Sequence, residues 1–256
     1  MKVTKENIDF YMDYYDLHCH IDLMPSMVMF ANATQKESIG ILGVTTTPKA
    51  YEKEIITLSS FGNIRIALGL HPQLVSERYS ELSIMEKLVS TADYIGEIGL
   101  DFSRQYYASK EKQIDVFDNV IKWCCEQGGK VISIHSVHSD KIILDILEKY
   151  RCTANNDCIL HWFSGSSTQL QRAIENGCYF SVNGVVLKSS NGQKLVRNTP
   201  PENILIETDA PFVNGIRSVQ QLKSELMQIE SSLVSIFGND ILSLVHTKSK
   251  ALLSIM

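Results

Sequence analysis

Asp16-Leu17-His18-Cys19-His20 ends a short apolar run that begins at Tyr14. Residues two apart in an extended segment point the same way, so His18 and His20 can both face one cation while Cys19 points away. A His-x-His pair alone is a weak indication of a metal site, because pairs of polar residues are common at turns. Whether this pair indicates a metal site depends on which side chains follow the other apolar runs.

Size and charge set broad limits on the fold and function. The chain has 256 residues, and 44% of them are hydrophobic, which is enough for a large core. Lengths near this are common for one α/β barrel, so we expect a single domain over residues 1–256, with residues 1–11 as an N-terminal extension. The formal net charge of −5 is unlike that of a general nucleic-acid coat protein. It does not exclude a nuclease, because bound cations offset phosphate charge locally.

Cysteine usage and hydropathy indicate a compartment. The chain has six cysteines, none of them in a C-x-x-C pair, and no apolar stretch reaches the length of a membrane span. The first eleven residues are too polar for a signal peptide. We therefore expect a cytoplasmic protein with reduced thiols and no membrane association.

Strand-like runs alternate with helix-like runs along the whole chain. Pro48 can begin a helix after the second run, Gly128-Gly129 can end a later helix, and the tail from Ser218 reads as two helices broken near Gly238-Asn239. Eight runs fit strands, namely residues 14–17, 39–45, 64–68, 94–98, 131–134, 158–160, 178–182 and 204–206. This count predicts a (β/α)8 TIM barrel, and a doubly wound open sheet is the competing α/β fold.

The positions of the polar candidates favour the barrel. They follow the first, fourth, fifth, sixth and eighth strands, and barrel active sites collect side chains from the carboxyl ends of many strands. In an open sheet those ends would be spread along a line and too far apart for one site. The candidates for metal binding are four histidines, one glutamate and one aspartate: His18, His20, Glu97, His135, His161 and Asp209.

The local context of these residues supports metal chemistry. Glu97 lies between glycines in an otherwise apolar strand, where a carboxylate is costly unless it is paired or coordinated. Its two oxygens could bridge two cations. His135 and His161 each end an apolar strand in consecutive β/α units, and Asp209 follows the last strand, where it could ligate a cation and accept a proton from water. Imidazoles and carboxylates together suit two divalent cations such as Mg²⁺, Mn²⁺ or Zn²⁺.

Three other residues are candidates for contact with the substrate. His71 could touch the substrate or support a ligand. Trp162 could stack on a base, or pack at the barrel rim as an ordinary aromatic residue. Arg217, or Lys188, could hold a neighbouring phosphate.

Taken together, the motifs resemble those of the TatD family of metal-dependent deoxyribonucleases, which have amidohydrolase-like barrels. The resemblance runs from about Asp16 to Phe212. It rests on Asp16-Leu17-His18-Cys19-His20, Gly69-Leu70-His71-Pro72, Gly96-Glu97-Ile98-Gly99-Leu100-Asp101, Ile134-His135, His161-Trp162-Phe163-Ser164-Gly165 and Glu207-Thr208-Asp209-Ala210-Pro211.

The resemblance implies a role for each ligand candidate. His18 and His20 would bind one cation, His135 and His161 the other, and Glu97 would bridge them. Asp209 would bind the first cation and act as the base, with DNA as the substrate. Residues 44–50, 69–74 and 160–166 are similar to the TatD-like nucleases of Qat anti-phage defence systems, which implies a defence role and other Qat components as partners.

Departures from the family pattern concern the surroundings of the metal centre. Gln73 stands where many members have a histidine, and Val137 stands where an arginine is common. The loop from Phe212 to Arg217 lacks the usual Arg-Asn-Glu-Pro stretch. Two alternatives to a deoxyribonuclease therefore stay open, a hydrolase of a small molecule or modified nucleobase and a non-catalytic assembly subunit.

Overall fold

Parallel strands follow one another around the molecule in chain order. The computed structural model describes residues 12–254, so the expected extension at residues 1–11 lies outside the described part. Within residues 12–254 the strands are β1 (Tyr14–Cys19), β2 (Ile39–Val44), β3 (Ile64–Ala67), β4 (Tyr94–Asp101), β5 (Val131–Val137), β6 (Asp157–His161), β7 (Tyr179–Val182) and β8 (Ile204–Ile206). Each predicted strand is present, with ends that differ by up to three residues.

The strands close into a barrel through two narrow seams. Regular parallel pairing joins β1, β2 and β3 in one ladder and β4 to β8 in a second ladder. A single bridge between Leu68 and Ile95 connects β3 to β4, and another between Cys19 and Ala210 connects the end of β8 to β1. The (β/α)8 prediction is therefore confirmed, and the open sheet is wrong.

Helices fill the connections between the strands. Pro48 begins one of them after an N-cap at Thr47, and Gly128 follows the end of another, both as expected. Among residues 12–254, no helix has the length and apolar character that crossing a bilayer requires. The α-helices are α1 (Met27–Lys36), α2 (Pro48–Leu58), α3 (Val75–Arg78), α4 (Leu82–Leu88), α5 (Lys110–Gln127), α6 (Asp140–Lys149), α7 (Ser167–Glu175), α8 (Gly184–Lys188), α9 (Ser190–Arg197), α10 (Val219–Phe237) and α11 (Asp240–Leu253).

The apolar core leaves one end of the barrel for polar chemistry. The large cluster of buried side chains lies between the strands and the surrounding helices. A smaller cluster joins strand residues such as Leu42 and Leu205 to Leu252 and Leu253 at the end of α11, so it fills the barrel toward the amino ends of the strands. The carboxyl ends of the strands are therefore the part of the interior that is free to carry charged groups.

Irregular pairing shapes the two strands that carry the first ligand candidates. The register shifts between Asp16 and Cys19 in the β1–β2 pair, and between Ile95 and Ile98 in the β4–β5 pair. Irregularities of this kind re-aim side chains locally. A side chain at Gly99 would place its Cβ 2.0 Å from the backbone oxygen of His135, so only glycine permits this approach.

Glu54 is an exception to the apolar packing between helices. It lies on α2 with 1% of its surface exposed, and neither carboxylate oxygen has a hydrogen-bond partner among the described residues. Burial, followed by repulsion from Asp22, raises the pKa of the Glu54 carboxyl to about 9. The folded protein therefore binds a proton at Glu54 that the unfolded chain releases above pH 4.5.

This proton linkage predicts a pH-dependent effect of Glu54→Gln. Glu54 lowers stability progressively as the pH rises from about 4.5 toward 9, because the unfolded state alone gains from ionisation. At pH 8 we expect the variant to raise the free energy of unfolding by on the order of 1–3 kcal/mol, measured by urea denaturation. The gain should shrink toward zero at pH 5.

Glu52→Gln, on the exposed side of the same helix, is the matched control. It should stay within about 0.5 kcal/mol of the parent protein at both pH values. An equal gain for Glu54→Gln at pH 5 and pH 8 would contradict the linkage.

Candidate metal centre

All six ligand candidates converge at the carboxyl end of the barrel. His18 lies near the end of β1 and His20 directly follows it, while Asp209 follows β8 across the adjoining seam. The remaining three, Glu97, His135 and His161, lie on β4, β5 and β6. The backbone N–H of Asp209 donates to the carbonyl of His18 at 2.9 Å, which fixes the two sides of the seam to each other.

The Glu97 carboxylate occupies the middle of this cluster. Its Oε1 lies 2.7 Å from His135 Nδ1 and 2.9 Å from His161 Nε2. Its Oε2 lies 3.4 Å from His18 Nε2 and 3.2 Å from His20 Nε2. The two oxygens therefore face different sets of imidazoles, which is the geometry that a bridging carboxylate needs.

Asp209 and His71 complete the cluster on the Oε2 side. Asp209 Oδ1 lies 3.8 Å from His18 Nε2 and 3.6 Å from His20 Nε2. His71 Nε2 lies 3.2 Å from Glu97 Oε2. His71 is thus in direct contact with the ligand cluster.

The donor atoms fit divalent cations. Three sets of side chains place their ligand atoms within 4.8 Å of one another. Glu97 Oε2 and His18 Nε2 are buried and have no hydrogen-bond partner among the described residues. Such atoms are costly in a protein interior unless something coordinates them. The three sets are His18 with His20 and Asp209, His18 with Glu97 and His161, and His71 with Glu97 and His135.

Further polar side chains contact the ring nitrogens of three imidazoles on the side away from the nitrogens that face Glu97. His18 Nδ1 lies 2.8 Å from Ser133 Oγ, and His161 Nδ1 lies 3.5 Å from Glu207 Oε2. Asp101 Oδ2 lies 3.4 Å from His135 Nε2 and accepts a hydrogen bond of 2.8 Å from Gln73 Nε2. Partners of this kind fix the ring orientation of metal-binding histidines.

Sequence reasoning missed the roles of Ser133 and Glu207. Glu207 lies within the Glu-Thr-Asp motif, and a buried acidic residue two positions before a ligand was the signal available for it. Ser133 lies in β5 two residues before His135, on the same face of the strand. Its hydroxyl reaches His18 on another strand, which only the closed barrel reveals.

Burial and mutual repulsion keep part of the imidazole set neutral. Burial, together with the neighbouring His161, lowers the pKa of His18 to about 4. The rings of His18 and His161 stack with centroids 3.9 Å apart, so two charges there would repel strongly. Burial opposes ionisation of Glu97, but His71, His161 and His18 hold its pKa well below the usual range. Neutral imidazole and ionised carboxylate are the forms that bind metal.

The pKa of Asp209 is shifted in the opposite direction from that of Glu97. Burial raises the pKa of its carboxyl to about 7, with the nearby Glu97 adding to the rise. His161 opposes this rise, so burial and the repulsion from Glu97 account for it. A divalent cation between Asp209 and Glu97 would remove that repulsion.

Two residues at the site have backbone torsions that are rare for side-chain-bearing residues. Trp162 has φ of 43° and Asp209 has φ of 51°, both in the left-handed region. Such torsions cost about 1–3 kcal/mol each, and residues held in them are enriched at functional sites. The hydrogen bond from Trp162 N to Ser181 O, 3.2 Å long, holds the first of these turns in place.

A cavity of about 450 Å³ opens above the cluster. Two of the residues proposed to contact substrate, His71 and Trp162, line it, and so does Phe212, which sequence reasoning missed. Arg217 is not part of this lining; it lines a separate groove with Met29 and Phe30. The structure thus brings together every ligand candidate and two of the three substrate candidates.

Buried carboxylates and histidines at the mouth of a (β/α)8 barrel define the class of metal-binding α/β barrels. The family model for TatD related DNase matches residues 15–237, and the chain belongs to this family.

Individual relatives agree with this membership. Deoxyribonuclease Tat-D of Schizosaccharomyces pombe is 36% identical over 212 residues, which cover 78% of this chain and 67% of that protein. A TATDN1 homologue from Encephalitozoon cuniculi is 33% identical over 59% of this chain, and the match spans about half of that relative, 52%. The metal-dependent hydrolase YabD of Bacillus subtilis is 29% identical over 78% of this chain and 80% of that protein.

Solved structures share the fold. The TatD homologue YjjV from Escherichia coli superposes with a TM-score of 0.80 at 21% identity, covering 95% of this chain and 98% of that one. The phosphotriesterase homology protein from Escherichia coli, complexed with phosphate in its active site, gives a TM-score of 0.62 at 13% identity, with coverage of 93% and 97%. At these identities the likeness concerns the fold alone.

Cation binding should stabilise the folded protein measurably. At a Mn²⁺ concentration of about 100 times Kd, binding adds about 2.7 kcal/mol. For a chain of this size that corresponds to a rise in Tm of roughly 5–10 °C over the same protein in EDTA. We expect Glu97→Gln to lose most of this shift, as measured by thermal denaturation.

His246→Gln provides the matched histidine control. His246 pairs with Glu230 at 2.7 Å, away from the cluster. This variant should keep the full shift with Mn²⁺. A full shift in Glu97→Gln would show that the cation binds elsewhere.

Proposed function

We propose that this protein is a metal-dependent phosphodiester hydrolase that cleaves DNA. The observation that carries the proposal is the buried Glu97 carboxylate, whose two oxygens face separate sets of imidazoles. The relative from Schizosaccharomyces pombe bears the name deoxyribonuclease, which supports DNA as the substrate.

Two divalent cations, Mg²⁺, Mn²⁺ or Zn²⁺, fit the donor set. His18, His20 and Asp209 would hold one cation, His135 and His161 the other, and Glu97 both. When bound, the pair lowers the pKa of a water molecule and offsets charge on the phosphate oxygens. The chain's own residues then provide orientation and proton transfer.

Asp209 is the proposed base. Its carboxylate lies on the cavity side of His18 and His20, where it lines the cavity and can accept a proton from the attacking water. Glu97 keeps the two halves of the ligand set in fixed relation while phosphorus is attacked. Ser133 and Glu207 hold His18 and His161 in position, so that little reorganisation is needed during the reaction.

His71 and Trp162 are the proposed substrate contacts within the cavity. Both line it, next to the ligand cluster. Because Arg217 lines a separate groove, any contact it makes with DNA would be with a nucleotide outside the cavity.

One observation favours a small-molecule ester as an alternative substrate. None of the described residues that line the cavity is a lysine or an arginine. A long strand of DNA usually meets cationic side chains near the reacting phosphate. Parallel assays with end-labelled DNA and with a panel of small phosphate, carboxylate and amide esters separate the two functions.

Glu97→Gln and Asp209→Asn should each abolish DNA cleavage. Both substitutions preserve shape but remove a charged ligand, and Asp209→Asn also removes the base. We expect kcat/KM to fall by about 10³-fold or more, measured with end-labelled DNA and Mn²⁺.

Asp240→Asn, on an exposed carboxylate at the start of α11, should leave cleavage unchanged. Circular dichroism on all three variants would establish that they remain folded. Full cleavage by purified Glu97→Gln would refute the assignment of the active site.

We also propose that the enzyme acts in the cytoplasm in anti-phage defence, with other Qat components as partners. The support is the similarity of residues 44–50, 69–74 and 160–166 to Qat nucleases. Each of these segments lies at or just after the carboxyl end of a strand (β2, β3 and β6), the end at which the cavity opens.

A phage challenge tests the defence proposal. Phage should form fewer plaques on lawns of cells that express this chain with the other Qat components than on lawns of cells without them. Glu97→Gln in the same operon should lose the protection, and Asp240→Asn should keep it. Equal plaque counts with the wild-type and Glu97→Gln proteins would show that defence does not depend on cleavage by this site.

A further inference from the structure

We infer that Phe212 is the stacking platform for a base of the bound nucleic acid and thereby positions a nucleotide beside the metal centre. The inference rests on the proposed nuclease function and names the residue that recognises the substrate. It is carried by the position of Phe212, by the backbone hydrogen bonds that join its turn to Asp209 and by the composition of the cavity.

Phe212 presents a large apolar surface beside the ligand cluster. Its side chain is 62% exposed and lines the cavity. Its ring centroid lies 5.0 Å from that of His20, with the two planes at 84°. Because the contact with His20 leaves most of the ring exposed, a planar ligand can stack there within reach of the metal ligands.

The turn that carries Phe212 is fixed to the metal centre. The backbone N–H of Phe212 donates to the carbonyl of Asp209 at 2.9 Å, and the N–H of Val213 donates to the same carbonyl at 3.2 Å. Ala210 and Val213 are buried in the protein, whereas Phe212 projects outward. The ring therefore holds a defined place relative to Asp209, and a base stacked on it would set the position of the adjoining phosphate.

The rest of the cavity favours an uncharged, planar part of the substrate. Its lining includes Val137 and Trp162, and none of its described lining residues is a lysine or an arginine. The formal net charge of the chain is −5, so the protein offers no general attraction for a polyanion. Affinity for DNA beyond the reacting phosphate then has to come largely from the faces of bases, which every nucleotide provides.

The test combines substitutions at Phe212 with removal of single bases from the substrate. A set of short single-stranded oligonucleotides carries one abasic residue at successive positions around the scissile phosphate. Cleavage by wild type, Phe212→Ala, Phe212→Trp and Ile56→Ala is measured as kcat/KM with Mn²⁺. Ile56 is a matched exposed apolar residue on α2, 79% exposed and away from the cavity.

Phe212→Ala should lower kcat/KM for the intact oligonucleotide by roughly 5- to 150-fold, the range that one base–aromatic stack accounts for. In the wild type, an abasic residue at one position should cause a similar loss. At that position Phe212→Ala should add no further loss, because the two changes remove the same contact. Phe212→Trp should retain cleavage, and Ile56→Ala should match the wild type.

A second measurement separates recognition from damage to the metal centre. The rise in Tm with Mn²⁺ should be the same in Phe212→Ala as in the wild type, because Phe212 supplies no ligand atom. Loss of the Tm shift in Phe212→Ala would overturn the stacking role. The role would also be overturned if, at every abasic position, the loss of kcat/KM from Phe212→Ala simply multiplied the loss from the missing base.

Failure of the stacking role and failure of the nuclease function give different results. If the wild type cleaves DNA and Phe212→Ala cleaves it equally well, the stacking role is wrong and the nuclease function stands. If the wild type cleaves no DNA at all, the nuclease function fails and the stacking role fails with it.

Discussion

The structure depends on placing one carboxylate, that of Glu97, among imidazoles in the interior of a barrel. The residue is 1% exposed, and its carboxylate oxygens lie between 2.7 and 3.4 Å from nitrogens of five histidines. Such a carboxylate is tolerable only if its surroundings supply opposite charge or coordination. Several features of the fold serve this requirement, including the irregular pairing of β4, the glycine at position 99 and the polar side chains that contact His18, His135 and His161.

The candidate ligands flank the two seams of the barrel where strand pairing is sparsest. Only isolated bridges connect β3 to β4 and β8 to β1. His71 and Glu97 flank the first of these seams, and His18, His20 and Asp209 flank the second. A cation held by ligands from both sides of a seam would link strands that share few backbone hydrogen bonds. Metal binding would therefore be coupled to barrel closure, because the free energy of coordination would act where strand pairing is sparse.

Much of this arrangement could be predicted from the chain alone, because its strands are short apolar runs that end in unmistakably polar residues. His135 and His161 are examples: alone, each is typical of a hydrogen-bonded structural histidine, but their recurrence at strand ends in consecutive β/α units indicates a shared site. The contacts between distant elements were beyond such reasoning. Ser133 reaches His18 across the barrel interior, and Arg217 lines a groove away from the site, because its loop turns outward before α10. Sequence order gives the strand ends but not the direction in which a loop leaves them.

The departures from the family pattern have a common physical effect. Gln73 replaces an ionisable side chain by an amide, and that amide donates a hydrogen bond to Asp101, so it supports the ligand set and adds no charge of its own. Val137 replaces a guanidinium by an apolar group in the cavity lining. Both changes leave the ligands in place while they remove positive charge from the space that the substrate enters. Under the proposed function, a barrel altered in this way keeps its capacity for hydrolysis and would select its substrate by shape and apolar contact more than by attraction for phosphate.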